Sequence, residues 1–341
     1  MFRASKNEAA ILPANTRGAG RAAQSRLSAA RAPGGAAPAR FRRERGLVVG
    51  CGDVGRRVLR DHGANHGGAR WLALTSQPGN VAALRALGAV ALLGNLDQPS
   101  TLRRLAGVAH RIVHLAPPPG EGGQDLRTRN LVRSLRRRRL PRALVYGSTS
   151  GVYGDCGGAW VPETRPLQPA TARARRRVDA ETQLRRLPAT VRTSLLRIPG
   201  IYAPDREGGT PLARLQRAGP VLQADQDVYT NHIHADDLAR ACWLALWRGR
   251  TRRVYNINDD STLRMGDYFE AAAALYGLAP PPRVSREQAW RELSAVQMSF
   301  MSESRRLRNT RMKQELRLVL RHPHVLSGLR AHAAALNAPS T

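Results

Sequence analysis

The sequence predicts an α/β fold organised on a doubly wound parallel sheet, and three observations support it. Between residues 45 and 150, short apolar runs alternate with amphipathic stretches of helical period, the pattern of βαβ units. The apolar runs are near-continuous, as strands covered by helices on both faces require. The first run also opens directly into a glycine-rich turn. At 341 residues the chain can bury a substantial core, as one large domain or two modest ones.

"GLVVG" (46–50) reads as a short buried strand, followed by a helix through "VGRRVLRDHG" (54–63). "RWLALTS" (70–76) is a second strand, and "NVAALRALG" (80–88) a helix that ends at Gly88. "AVALLGNL" (89–96) and "RIVHLAPPP" (111–119) continue the strands, with "STLRRLAG" (100–107) as the helix between them. Then come the helix "RTRNLVRSLRRRRL" (127–140) and the strand "RALVYGSTS" (142–150). The run "RRRR" (136–139) is read as the solvated end of that helix rather than a phosphate site. No internal repeat exists beyond this alternation.

Gly50-Cys51-Gly52-Asp53-Val54-Gly55 fits G-x-G-x-x-G, and it follows a strand and opens a helix, the context the motif requires. Gly50 makes the tight turn, Gly52 lets a pyrophosphate approach the backbone, and Gly55 lets helix and strand pack closely. The anion would sit on free N–H groups at the helix start, beside Asp53 and Val54. The alternative is an ordinary strand-to-helix turn. This makes the expected core a Rossmann-type sheet binding NADP or NAD. A carboxylate at the end of the second strand ordinarily binds the ribose diol of NAD, yet no Asp or Glu occurs between Asp61 and Asp97. Thr75, Ser76 or an arginine such as Arg85 would instead receive a 2′-phosphate, which favours NADP.

The formal net charge is +30, with 55 basic residues of which only Lys6 and Lys313 are lysine. Clustered cations invite a nucleic-acid partner, but attraction to phosphate does not exclude lysine, whereas a GC-rich coding sequence does. Aromatics are 5% of the chain and leave little for base stacking. Coding bias is therefore preferred over nucleic acid as the source of the charge, and the basic surface still favours anionic small molecules. Cys51, Cys156 and Cys242 form no C-x-x-C, so neither a disulfide framework nor a metal site is expected, and the reading is a reducing, cytoplasmic setting. No apolar run is long enough to span a membrane. Residues 1–44, with only Glu8 and Glu44 acidic, read as a disordered Arg/Ala-rich arm. That arm has a transit-peptide-like composition and could touch nucleic acid; an inert tail or a start codon placed too far upstream is the plainer reading.

At "YGSTSGVYGDCGGAWVPET" (146–164) the chain resembles the extended short-chain dehydrogenase/reductases of the NAD-dependent epimerase/dehydratase family. Further pieces follow in family order: "RIPGIYAPDR" (197–206), "NHIHADDLARA" (231–241), "YNINDD" (255–260) and "SESRRLRNTRMKQEL" (302–316). The resemblance covers about residues 45–330. It implies a dinucleotide-binding domain over 45–198, a smaller substrate-binding part over 199–330 that returns to the sheet at "YNIN" (255–258), and a tail over 331–341. It also implies that Thr149 bonds the reacting oxygen, that Ala116 and Leu96 flank the cofactor after the fourth and third strands, and that Pro199 and Gly200 pack along the nicotinamide. Asp236 and Asp237 are read as caps of a helix N-terminus. The implied substrate is a small anionic metabolite such as a sugar nucleotide, and a homodimer is in keeping with many members.

The family's chemistry uses Tyr-x-x-x-Lys, and this chain lacks it. Glu181 fits the acidic residue four beyond the Lys, which puts Arg177 at the Lys position and Arg173 at the Tyr position. Of the seven tyrosines none has Lys at i+4. Arginine, with a pKa above about 12, does not exchange protons near neutrality. Arg177 can still hold ribose hydroxyls, and Arg173 can stabilise an oxyanion or bind a phosphate or carboxylate; otherwise both belong to a solvated basic helix face. Tyr153 and Glu163 are the candidate substitutes for proton transfer. Two functions follow: an atypical NAD(P)-dependent oxidoreductase or epimerase, or a cofactor-binding redox sensor or scaffold that has lost the chemistry. A nucleic-acid-associated protein is the third reading.

Overall fold

The protein, seen here as a computed structural model, is described over residues 43–63 and 68–337. The first half builds the sheet: β1 (Arg45–Val49), α1 (Asp53–His62), β2 (Arg70–Thr75), α2 (Asn80–Ala86), β3 (Val90–Leu93), β4 (Arg111–His114), α3 (Leu126–Leu135) and β5 (Ala143–Thr149). After β6 (Trp160–Val161) come α4 (Ala172–Arg185), β7 (Arg192–Ile198), β8 (Gly200–Tyr202), α5 (Leu212–Gln216), β9 (Val221–Leu222) and β10 (His232–His234). The chain ends with α6 (Ala235–Arg248), β11 (Arg253–Asn256), α7 (Met265–Leu275), β12 (Arg283–Val284), α8 (Arg286–Glu292), α9 (Ala295–Met301), β13 (Arg306–Leu307), α10 (Thr310–Glu315) and α11 (Val325–Asn337).

Seven parallel strands form the main sheet in the order β11-β7-β5-β4-β1-β2-β3, so the α/β reading holds, and Tyr255 and Asn256 of "YNIN" pair with Leu196 and Arg197 of β7. Strand residues alternate between two cores. Val48 and Val113 face α1 and α6, packing with Val58, Leu59, Leu238 and Cys242. Leu47, Val49 and Ile112 face α3 and α4, packing with Leu131, Leu135, Ala180 and Leu184. Each such fully buried Leu or Val contributes about 1.5–3 kcal/mol of burial energy. The chain runs outward from β1 through β2 to β3 on one side, and from β4 through β5 and β7 to β11 on the other. The crevice between β1 and β4 is therefore the switch point at which ligands of such sheets bind.

Several expectations are adjusted. The helix read at 100–107 is a 3₁₀ turn over Pro99–Leu105, held because Leu102 and Leu105 are buried. β3 stops at Leu93 and β4 at His114, before the proline run at 117–119 that cannot donate ladder bonds. Helix α3 ends at Leu135, and the arginines at 136–139 are exposed. The arm reading lies outside the described residues except at its end. There Glu44 belongs to the fold, pairing with Arg111 at 2.7 Å and Arg142 at 2.9 Å. Helix α11 runs through Asn337, past the expected start of the tail at 331, because Val325, Leu329 and Ala333 pack on Tyr202 and Tyr268.

Candidate active site

A cavity of about 820 Å³ opens at the carboxyl ends of β1, β5 and β7, lined among others by Gly50, Gly52, Thr149, Arg177, Pro199 and His232. Its floor is the glycine turn. Gly50 has φ +90°, and a Cβ there would lie 2.2 Å from the Ala116 amide nitrogen. A Cβ on Gly55 would lie 2.5 Å from the Gly50 carbonyl oxygen. A Cβ on Gly52, by contrast, would meet nothing within 4 Å. Gly50 and Gly55 are thus required by the protein's own backbone, while Gly52 leaves space for something else. No side chain caps α1 at Gly52, so its first-turn amides remain for a ligand. Asp53 would oppose an anion there, but Arg57 holds its Oδ1 at 3.0 Å and Arg206 its Oδ2 at 2.7 Å. A pyrophosphate fits this turn.

Helix α4 brings the two substituted positions to the cavity. Its register is fixed by Glu181, fully buried, which accepts from Ser148 Oγ at 2.7 Å and pairs with Arg197 at 2.8 Å. This joins α4 to β5 and β7. One turn earlier, Arg177 donates to the Gly147 carbonyl at 2.6 Å and to the Tyr146 hydroxyl at 3.0 Å. A further turn earlier, Arg173 is exposed at the mouth, its guanidinium 5.1 Å from the Phe300 ring centroid. Behind Arg177 runs a buried polar chain: His114 Nε2 contacts Thr128 Oγ1 at 2.9 Å, and Thr128 donates to Asp125 at 2.7 Å. Burial holds His114 down to about 3, with Arg177 adding to the shift, so it is neutral.

Thr149 ends β5 at the cavity, its Oγ1 accepting from the Gly151 amide at 3.3 Å. Tyr153 does not reach the cavity. Its ring is fully buried, its hydroxyl donates to Asn256 Oδ1 at 2.7 Å, and burial raises its pKa. Glu163 is likewise spent, accepting from the Asn256 amide at 3.1 Å and lying 3.6 Å from Arg311. These two candidate acids are corrected on the same ground: each is bonded into the seam between β11 and the loop after β5. Pro199 and Gly200 line the cavity, whereas Thr75, Ser76, Leu96 and Ala116 lie outside it. Thr75 Oγ1 accepts from the Gln77 amide at 3.2 Å, Ser76 is exposed, and Leu96 and Ala116 are buried in the core. The cap reading at 236–237 is also corrected. The cap of α6 is His234, whose side chain accepts from the Asp236 amide at 3.2 Å. Asp236 instead holds Arg57 at 2.6 Å, and Asp237 accepts the amides of Arg321 and His322.

Three cavity residues were not legible. Arg214 lies 4.4 Å from the Phe269 ring centroid, its Nε buried without a partner. His232 and Tyr268 face each other with centroids 4.5 Å apart. Of the five cavity arginines, Arg206 pairs with Asp53 and Arg305 with Glu303, while Arg173, Arg177 and Arg214 make no ion pair among the described residues. The cavity wall is thus net cationic. The nearest grouping of metal-type ligands, His234, Asp236 and His322, is otherwise engaged. His234 Nδ1 accepts from the Asp236 amide, Asp236 Oδ1 holds Arg57 and Arg60, and the two imidazoles stack 3.7 Å apart.

No curated protein matches the sequence. Among solved structures, a conserved protein of unknown function from Silicibacter pomeroyi is 31% identical, with 86% of this chain and 100% of that chain covered and a TM-score of 0.72. UDP-glucose 4-epimerase from Thermotoga maritima, solved with UDP-glucose, is 19% identical over 85% of this chain and 97% of that one, with a TM-score of 0.67. UDP-glucuronic acid 4-epimerase from Bacillus cereus, solved with UDP-glucuronic acid and NAD, is 16% identical over 86% and 98%, also at 0.67. These two share the fold. The model of the NAD dependent epimerase/dehydratase family matches residues 47–258, well over half the chain. With the glycine turn, the switch-point cavity and Thr149 in place, this chain belongs to the NAD dependent epimerase/dehydratase family.

Proposed function

We propose that the protein is an atypical nicotinamide-dependent oxidoreductase or epimerase acting on an anionic metabolite of the sugar-nucleotide kind. The observation that carries this reading is one continuous cavity, joining the open Gly52 cradle to Thr149 and to three guanidinium groups that have no carboxylate partner among the described residues. When bound, the coenzyme would supply a hydride acceptor and donor. Gly52 and the first amides of α1 would hold its pyrophosphate, Arg177 its ribose, and Pro199–Gly200 would border the nicotinamide. Arg173 and Arg214 would bind the substrate's anionic group, through charge-assisted hydrogen bonds. Two fold relatives bind UDP-sugars, which is in keeping with such a substrate.

The coenzyme's 2′-phosphate form is favoured by the rim. Arg56 is exposed and donates to Asn80 Oδ1 at 2.9 Å, and Asn80 reaches Gln77 just beyond Ser76. Ser76, Arg56 and the absence of a carboxylate there suit a phosphate better than a ribose diol. Parallel titrations test this: tighter NADP(H) than NAD(H) is expected, and tighter NAD(H) contradicts it.

A second reading, a redox sensor without turnover, is favoured by Arg173 and Arg177 standing where proton-exchanging groups would. Reduced coenzyme mixed with keto-sugar nucleotides, followed by its absorbance, separates the two. An enzyme loses rate on Thr149→Ala, by about 100-fold, while a sensor binds coenzyme unchanged and turns nothing over.

A further inference from the structure

We propose that His232 is the group that holds the substrate's reacting oxygen and exchanges its proton, in place of the absent phenol. The inference rests on the oxidoreductase reading above, and its basis is strand register. Thr149 at the end of β5 pairs with Ile198 at the end of β7. Two residues on, Gly200 pairs with His232 at the start of β10. The imidazole lies against that glycine, since a Cβ on Gly200 would sit 3.7 Å from His232 Cδ2. Thr149, Ile198, Gly200 and His232 all line the one cavity. His232 therefore borders Gly200, in the segment assigned to the nicotinamide, and shares one cavity wall with Thr149.

The other ionisable groups on this wall are engaged or unsuited. Asp53 is held by two arginines and Glu303 by Arg305 at 2.7 Å. Burial pushes the Tyr268 hydroxyl well above its ordinary range. Tyr229 stacks with Arg306 at 4.5 Å and Arg264 at 5.6 Å, and it pairs with Arg264 rather than with β8, off the register that brings His232 to Gly200. His232 Nδ1 is buried without a partner, and no hydrogen bond engages the ring among the described residues, which leaves Nε2 to face the cavity.

The surroundings keep this imidazole neutral. Tyr268 of α7 packs on it at 4.5 Å and Tyr202 of β8 meets it edge-on at 6.3 Å. Asp259, whose amide donates to the His232 carbonyl at 2.8 Å, is pushed up to about 8 by burial and is largely uncharged at neutral pH. Burial alone holds the imidazole down to about 4. A neutral ring beside the reacting oxygen can take up its proton only transiently, because the burial that keeps it neutral also disfavours the imidazolium. As the substrate hydroxyl is oxidised, its O–H bond breaks and an Nε2–H bond forms, giving imidazolium. The hydride leaving the adjacent C–H bond would be taken up by the nicotinamide coenzyme when bound. The return step reverses both transfers.

The full chain with isotopically labelled histidine tests this by NMR, the His232 signals being identified by their loss in His232→Gln. Saturating coenzyme should shift the His232 ring nitrogens while leaving those of His110, whose Nδ1 accepts from the Arg45 amide, in place. Adding UDP-glucose as the hydroxyl-bearing probe should shift Nε2 further. His232→Gln should lower turnover about 100-fold with the coenzyme dissociation constant nearly unchanged. Unmoved His232 signals at saturating coenzyme, or a Gln variant as fast as the parent, overturn the assignment and leave the oxidoreductase reading standing. A folded protein that binds neither coenzyme overturns both.

Discussion

Two glycines two residues apart have opposite jobs, and substitution separates them. Gly50→Ala forces φ +90° on a residue with a Cβ and drives that Cβ to 2.2 Å from the Ala116 nitrogen. It should destabilise the fold by at least about 2 kcal/mol, read from urea midpoints. Gly52→Val adds a Cβ that meets nothing within 4 Å, so stability should change by less than about 1 kcal/mol while coenzyme affinity falls at least about tenfold, or 1.4 kcal/mol. Equal effects of the two on stability would contradict the division. The glycines were legible because a turn is a local property of chain order. His232 and Arg214 were not, because their roles arise from a pairing of β8 with β10 and a stacking of α5 on α7, which no short-range pattern encodes. Tyr153 failed for a related reason. Nearness to Thr149 in sequence says nothing about which way a ring points, and this ring points into a core with Val152, Val161 and Leu307.

At the level of elements, α4 is the piece that decides which side chains meet the substrate. Its clamp is the fully buried Glu181 against Arg197, which is 2% exposed at the side chain. Glu181→Gln leaves that guanidinium buried and unpaired, and should cost about 3–5 kcal/mol, measured by denaturant unfolding. A loss below about 1 kcal/mol would show that α4 is held by its apolar face instead. A second clamp joins α1 to α6, where Arg57 bridges Asp53, Asp205 and Asp236 at 3.0, 2.6 and 2.6 Å. Arg57→Met should release Asp53 Oδ1 and leave that carboxylate on Arg206 alone beside the α1 turn, weakening coenzyme binding along with stability. The strands and helices of the main sheet were readable from apolar runs. The two-residue strands β6, β9, β12 and β13 were not, since two residues carry no period.

For the whole molecule, buried titratable groups set the pH dependence of stability. Burial holds His114 to about 3 and His232 and His234 to about 4, against an ordinary value of 6.5. The unfolded chain takes up protons that the fold refuses, so these groups cost stability progressively as pH falls below 6.5. Asp259 works the other way. Pushed up to about 8 from 3.8, it keeps a proton that the unfolded chain has already released, so it makes stability fall as pH rises from about 4 to 8. Three imidazoles outweigh one carboxyl below pH 6.5, and Asp259 acts without them above it. Stability should therefore peak near pH 6.5, and Asp259→Asn should remove the decline between 6.5 and 8. A decline of unchanged slope in that variant would assign it to another group.

The central claim is that this basic molecule, with a formal charge of +30, organises its cavity around a dinucleotide seated on α1. Calorimetric titration of the folded chain with NADP(H) and NAD(H), alongside Gly52→Val, tests it most directly. One-to-one binding of at least one coenzyme is expected, weakened at least about tenfold in the variant. Absence of binding by both coenzymes at millimolar concentration, or equal binding by the variant, would contradict it.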